Sequence, residues 1–202
     1  FFGKADIVSV EFPDSVTTID DHAFSGCLSL KKVDIPDSVT NLGKGCFMSC
    51  SALGSVTLGK GVKAVPEACF HSCTSLKTVN IPDSITSIGD EAFYSCADIS
   101  GIYIPSSVKT IGREALGRRY DARSSSSENI SGFTIRGEKG SAAEKYASDS
   151  KLGFKTGRLS MGDVNGDGTV NAVDASAVLA EYAASSTGRE GSFSADQRSA
   201  AD

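Results

Sequence analysis

Between Gly162 and Asp174 the chain reads GDVNGDGTVNAVD. Counted from Asp163 as position 1, Asn165, Asp167, Thr169, Asn171 and Asp174 stand at positions 3, 5, 7, 9 and 12, with Gly168 at position 6. A calcium loop of about twelve residues uses this spacing: alternate oxygen ligands face a hard cation, position 7 offers its backbone carbonyl, position 9 often acts through water, and glycine permits the sharp turn. Without a cation, the three converging carboxylates would repel one another. The expected cofactor is therefore Ca2+, bound by Asp163, Asn165, Asp167, Thr169, Asn171 and Asp174. Asp174 replaces the customary glutamate, and its shorter reach weakens or remodels that end of the site.

Such a loop needs an element to hold it, and the flanks are unequal. TGRLSMG before it is polar and flanked by glycine, whereas NAVDASAVLAEYAA after it has helical character. A loop followed by one helix is half of an ordinary EF-hand. On DVNGDGTVNAVD and the ASAVLAEYA helix, the segment from Met161 to Asp202 resembles a type I dockerin, the module by which secreted proteins of cellulose-degrading bacteria plug into cohesins on scaffoldin proteins. That family has two loop-helix halves. SFSADQRSAAD offers a connecting helix capped by Ser194 with Gln197, and Asp202 is placed to open a second loop that lies beyond this sequence. The resemblance implies that Ala172, Val173, Leu179 and Ala180 contact the cohesin, with Ser176 on the same face; Val170, Val178 and Tyr182 would pack on the other half. The Ala172–Val173 pair departs from the hydroxyl residues of the best-known members and implies a more hydrophobic specificity. A core role for these same residues is the competing reading.

The body that precedes this tail is built on a different principle. Val10, Val33, Val56, Val79 and Ile102 recur every 23 residues, and Phe12, Ile35, Leu58, Ile81 and Ile104 follow two residues later, the alternation of a short strand. Pro13, Pro36, Pro82 and Pro105 come next, with Gly59 in the third copy; proline ends the strand because it cannot donate to a ladder. The PDS that follows suits a type I turn. Phe24, Phe47, Phe70, Phe93 and Leu116, then Leu30, Leu53, Leu76 and Ile99, mark a second block whose Ala/Cys-Phe-x-x-Cys spacing predicts a short helical turn.

No single copy can bury its apolar side, so the copies must stack, with their strands parallel along one face. The recurring IPDSVTxIGxxAFxxCxSLxxVxI pattern resembles the BspA-like leucine-rich repeats of bacterial surface proteins, over Phe1 to about Phe154. The expected fold is an α/β solenoid of parallel strands with a short helix per 23-residue coil, spanning 1–157. The small calcium-loop module, helical in class, takes 158–202. GRRYDARSSSSENIS reads as a polar surface excursion. FTIRG resumes the strand, and Ser141 with Glu144 forms a capping box, so 133–155 is expected to close the solenoid. Phe1 shares the phase of Phe24, which implies repeat sequence upstream.

The six cysteines follow the same period: Cys27, Cys50, Cys73 and Cys96, and separately Cys46 and Cys69. Small buried thiols stacked coil on coil account for this spacing. Stacked positions about 4.8 Å apart also lie within bridging range, so thiol and disulfide both fit. No C-x-x-C pair supports zinc.

Outward strand positions would carry Glu11, Asp34, Thr57, Asn80 and Tyr103, flanked by Ser9, Lys32, Ser55, Thr78 and Gly101, the natural recognition ladder of a solenoid. Its mixed chemistry names no ligand, protein or carbohydrate, and a merely solvated face is the plain alternative. The two histidines, His22 and His71, occupy different repeat positions and join no evident catalytic group. Asn129-Ile130-Ser131 matches a glycosylation acceptor by chance in a bacterial-looking protein.

Composition is that of an ordinary globular chain, 40% hydrophobic and 22% charged. Of the net charge of −5, residues from Arg158 onward carry seven acids against three bases, leaving −1 for the first 157. A nearly neutral body without a basic stripe argues against nucleic acid and anionic membranes as partners, and no apolar run is long enough to insert. Two functions fit. One is a non-catalytic extracellular protein, on the bacterial surface or in a secreted cellulosome, whose solenoid binds an unknown partner while the calcium module attaches it to a cohesin. The other is a fragment of a larger secreted cellulosomal enzyme, a polysaccharide hydrolase or peptidase, with its catalytic module elsewhere. A calcium sensor fits poorly, because no helix pairs with the loop.

Overall fold

The 23-residue period is realised as stacked coils, each with two short strands. The structure, a computed structural model, describes residues 1–157. In chain order the strands of the coils are β1 (Thr18–Ile19), β2 (Lys32–Asp34), β3 (Asn41–Leu42), β4 (Ser55–Thr57), β5 (Ala64–Val65), β6 (Thr78–Asn80), β7 (Ser87–Ile88), β8 (Gly101–Tyr103) and β9 (Thr110–Ile111). β2, β4 and β6 form a parallel sheet in which Val33 lies beside Val56 and Val56 beside Val79. A second parallel ladder joins β1 to β3 and β5 to β7 and β9, with Val65 beside Ile88 and Ile88 beside Ile111. Every partner is one repeat away, because only that register keeps each apolar side chain on the inner face. Between the ladders the PDS segments turn as expected: the amides of Val39 and Ile85 donate to the carbonyls of Pro36 and Pro82, both at 3.1 Å.

The second block of each coil departs from expectation. It forms turns instead of a helix, and among the described residues the single α-helix lies in the terminal segment. Two left-handed residues per coil explain this. His22, Gly45, Ala68, Glu91 and Glu114 form one column with φ between 52° and 56°, and Gly3, Gly26, Ser49, Ser72 and Ser95 form another with φ between 59° and 76°. A right-handed helix cannot pass through such residues. The backbone donors turn instead to the next coil: Phe24, Phe47, Phe70 and Phe93 donate to the carbonyls of Cys46, Cys69, Ala92 and Ala115 at 2.8–2.9 Å. The fold is a parallel-strand β-solenoid.

These cross-coil bonds hold the side chains in columns. The rings of Phe24, Phe47, Phe70 and Phe93 stack at centroid distances of 5.3, 5.6 and 5.3 Å, and Leu30, Leu53 and Leu76 are fully buried beside them. All six cysteines are buried free thiols. Cys50, Cys73 and Cys96 donate Sγ–H to the carbonyls of Phe24, Phe47 and Phe70 at 3.1–3.2 Å, a use of the thiol that packing alone does not anticipate. Phe1 continues the aromatic column, 5.2 Å from Phe24, yet remains 71% exposed. The first coil is irregular: Ser9–Val10–Glu11 forms no strand.

After β9 the chain leaves the period. The polar excursion is an antiparallel hairpin, β10 (Arg118–Asp121) with β11 (Ser126–Asn129). β12 (Thr134–Gly137) then rejoins the stack parallel to β8, with Ile135 beside Ile102. α1 (Ala142–Asp149) follows, and β13 (Gly153–Thr156) lies on the outer side of β12. Ser141 caps α1 by accepting from the Glu144 amide, while the Glu144 carboxylate reaches the Gly140 amide at 2.6 Å, one residue earlier than a regular capping box. The buried Tyr146 hydroxyl accepts from the Leu116 amide at 3.0 Å and donates to the Leu116 carbonyl at 3.2 Å, fixing the helix on the last coil. Burial pushes this phenol above its ordinary pKa. Phe1–Phe154 forms one compact unit.

Candidate recognition surface

In the strands of the first ladder the middle residue is the inward one. Val33 and Val56 are buried and Val79 is half-buried, as Ile102 is buried on β8, so the residues on either side must face outward. β2, β4 and β6 accordingly present Asp34, Thr57 and Asn80 in one exposed column, each in register with the next. Lys32, Ser55 and Thr78 form a parallel column. Tyr103 on β8 occupies the same position but is half-buried. Glu11 is exposed but belongs to the irregular first coil, outside any strand.

The structure adds Arg136, which pairs in register with Tyr103 and extends the column onto β12. Its side chain is largely buried. The sequence hides it because the hairpin insertion separates Tyr103 from Arg136 by more than one period. FTIRG identifies the returning strand without showing which residue continues the column.

Among β2, β4 and β6, charge is confined to β2. Lys32 Nζ lies 2.8 Å from Asp34 Oδ2. Its hydrogen bond, in the main, holds the Asp34 carboxyl below the ordinary aspartate range. Ser55, Thr57, Thr78 and Asn80 on the next two coils are neutral, and their hydroxyl and amide groups can both donate and accept. This arrangement can form many individually weak hydrogen bonds along an extended ligand.

A second polar cluster lies on the turn side. Ser72 Oγ is 2.9 Å from His71 Nδ1, the His71 ring stacks on Tyr94 at 5.1 Å, and Glu91 sits 3.9 Å from His71 Nε2 and 3.3 Å from Arg113. The repeat positions of the histidines gave no sign of this, because the cluster depends on residues one coil apart. It contains serine, histidine and carboxylate, but the neighbouring amides serve the fold: Ser72 N–H donates to Tyr94 O at 2.7 Å and Cys73 N–H to Phe70 O at 3.2 Å. Neither can stabilise an oxyanion.

On the hairpin, Arg118 donates to Asn129 Oδ1 at 2.6 Å, and Arg119 donates to Glu128 at 2.8 Å. Asn129 Nδ2 donates to the carbonyls of Ser150 and Lys151, so the nitrogen of the Asn-Ile-Ser triplet is engaged within the fold.

The expected calcium ligands Asp163, Asn165, Asp167, Thr169, Asn171 and Asp174 lie outside the described residues. So do the expected cohesin contacts Ala172, Val173, Ser176, Leu179 and Ala180. Among the described residues, no group of three or more His, Cys, Asp or Glu side chains is placed to hold a metal ion, and no helix is long and apolar enough to cross a membrane.

Comparison with known proteins agrees with this architecture. The family described as BspA type leucine rich repeat region matches residues 1–121 in six copies. A leucine rich cell surface protein from Faecalibacterium prausnitzii A2-165 is 34% identical, with a TM-score of 0.50 over 59% of this chain and 34% of its own. The leucine rich repeat protein of T. pallidum is 29% identical, with a TM-score of 0.56 over 64% of this chain and 58% of its own. The chain thus spans about a third of the first and somewhat over half of the second. No curated protein matches it. With the coil register, the buried phenylalanine column and the six matched copies in agreement, the chain belongs to the BspA-type leucine-rich repeat family.

Proposed function

We propose that the protein is a non-catalytic extracellular interaction protein. Its solenoid binds a protein or carbohydrate partner across the β2-β4-β6 face, and its C-terminal segment attaches it, through Ca2+, to a cohesin of a scaffoldin. One observation supports the recognition role above the others: three coils present Asp34, Thr57 and Asn80 as an exposed column in exact parallel register. A solenoid reads extended ligands with such a column, because each coil adds one position at a constant spacing. The similarity to a leucine rich cell surface protein supports a place at the bacterial surface.

The attachment role is supported by sequence. Asp163, Asn165, Asp167, Thr169, Asn171 and Asp174 fit the oxygen spacing of a calcium loop, with Gly168 at the turn. Ala172, Val173, Ser176, Leu179 and Ala180 are spaced so that, in a helix, they would share one largely apolar face. The test has two arms. The chain is applied to immobilised extracellular-matrix proteins and to a glycan array, and separately to a panel of cohesins with calcium or with chelator. Saturable binding in the first arm and calcium-dependent capture in the second are expected. Absence of the first removes the recognition role, and cohesin capture that persists in chelator removes the role of the loop.

A further inference from the structure

Two of the six cysteines behave differently from the other four. Cys46 and Cys69 occupy the same position on adjacent coils, and their sulfurs lie 3.4 Å apart. Both side chains are completely buried. Cys50, Cys73 and Cys96 instead direct Sγ–H at a phenylalanine carbonyl of the preceding coil, and Cys27 does the same toward Phe1 at 3.4 Å. One column of thiols thus donates to backbone, although Cys50 and Cys73 also interact with each other through their sulfurs, while Cys46 and Cys69 direct their thiols at each other.

We propose that Cys46 and Cys69 are an oxidation site, forming a single cross-coil disulfide when the protein folds in the presence of a small-molecule disulfide oxidant, while the other four cysteines remain thiols. Geometry makes the bridge accessible. Cys46 and Cys69 are one repeat apart on coils joined by the Phe47 N–H to Cys69 O bond of 2.9 Å. The coils stack at the spacing of their parallel strands, about 4.8 Å, and Cys46 and Cys69 hold equivalent positions in the turns of two adjacent coils, a separation of the size a disulfide tolerates.

The chemistry balances as ordinary thiol–disulfide exchange. One thiol loses its proton, and the thiolate attacks the oxidant's S–S bond to give a mixed disulfide, releasing the first reduced oxidant thiol. The second cysteine, deprotonated in turn, displaces the remaining half. The two cysteines together lose two protons and two electrons, and the oxidant disulfide becomes two thiols.

Burial determines when this happens. The thiolate is the reactive form, and burial, chiefly, with the neighbouring Cys46 sulfur, raises the Cys69 pKa well above its ordinary value. An oxidant cannot reach either sulfur once the coils are closed. The bridge therefore forms as the chain folds, and the folded thiol form resists it.

The experiment uses the full chain, unfolded under reduction and refolded with either oxidised or reduced glutathione. Remaining thiols are alkylated in denaturant, and the bridge is located by non-reducing peptide mapping. In oxidised glutathione the main product should lack two hydrogens, carry four alkyl groups, and contain one Cys46–Cys69 crosslink. Cys46→Ala and Cys69→Ala should each abolish the crosslink, whereas Cys73→Ala should retain it; circular dichroism checks that each variant folds. Chain folded in reductant and then moved into oxidised glutathione should form the bridge at least tenfold more slowly. Six alkylated cysteines after oxidative refolding, a main bridge involving Cys27, Cys50, Cys73 or Cys96, or equally fast oxidation of the folded chain would overturn the proposal.

Discussion

The rings of Phe47 and Phe70 lie 5.6 Å apart with their planes 4° from parallel, although a full 23-residue coil separates them in the chain. The stack results from the cross-coil bonds on either side, in which Phe47 and Phe70 donate to carbonyls of the following coil. Sequence period, backbone register and core packing are one property at this point, and removing a ring tests all three. Phe70→Ala is expected to cost about 3–5 kcal/mol, because the cavity would be walled by coils that the backbone ladders keep from closing. Chemical denaturation measures this cost; a stability unchanged within error would contradict the assigned register.

The left-handed columns yield a prediction of opposite sign. Ala68 has φ 53° and Ser49 has φ 59°, in columns where Gly45 and Gly26 stand one coil away. A side chain in this conformation costs about 1–2 kcal/mol, and glycine removes that strain while losing about 0.4–1 kcal/mol through a freer unfolded chain. Ala68→Gly should therefore be neutral to mildly stabilising. Gly45→Ala should destabilise, since a Cβ there would also stand 2.7 Å from the His22 ring. The thermal melt of Gly45→Ala should fall while that of Ala68→Gly holds or rises, and equal losses would show that the turns are not held left-handed.

These columns also mark the limit of what could be read from the residues. Gly3, Gly26 and Gly45 suit this conformation, but Ser49, Ala68, Ser72 and Glu91 adopt it without being glycine. Their local pattern of apolar residues fits a helical turn, and only bonds to the next coil reveal the alternative. Val33, Ile35, Phe47 and Leu53, by contrast, were legible because a strict period exposes every inward position at once. Asp34, Thr57 and Asn80 follow from the same phase, as residues between inward positions. Arg136 did not, because the hairpin insertion shifts its phase, and the His71–Ser72–Glu91 group did not, because it is assembled across coils.

The Lys32–Asp34 pair should be visible in a titration. Its hydrogen bond lowers the Asp34 pKa in the folded chain, so any stabilisation is present above the unfolded-state value and is lost as pH falls through the lower, folded one. Both side chains are mostly exposed, so the effect on stability is small and sensitive to salt. Carbon-detected NMR of the Asp34 carboxyl should give a midpoint below that of an ordinary aspartate, and Lys32→Ala should raise it. An unchanged midpoint in the variant would assign the shift to another group.

Calcium binding by the C-terminal segment is expected to need its carboxylates together. Asp163→Ala with Asp167→Ala removes two of the three in the loop, and isothermal titration of the chain should show the heat of calcium binding by that loop disappear. The far-ultraviolet dichroism of the repeats should remain. Loss of the repeat signal in the same variant would mean that the two parts of the chain do not fold independently.

Recognition by the β2-β4-β6 face is tested most directly by altering two neighbours in its column and comparing them with a control on the turn side. The unaltered chain is first screened against immobilised matrix proteins and a glycan array, and the strongest binder is carried forward. Thr57→Arg with Asn80→Arg places two long cations on exposed positions of adjacent strands and should weaken that binding at least tenfold by surface plasmon resonance. Arg113→Ala, on the turn side, should leave it within twofold, and all three chains should melt alike. Equal affinity of the unaltered and doubly substituted chains, or no probe bound above background, would contradict the account.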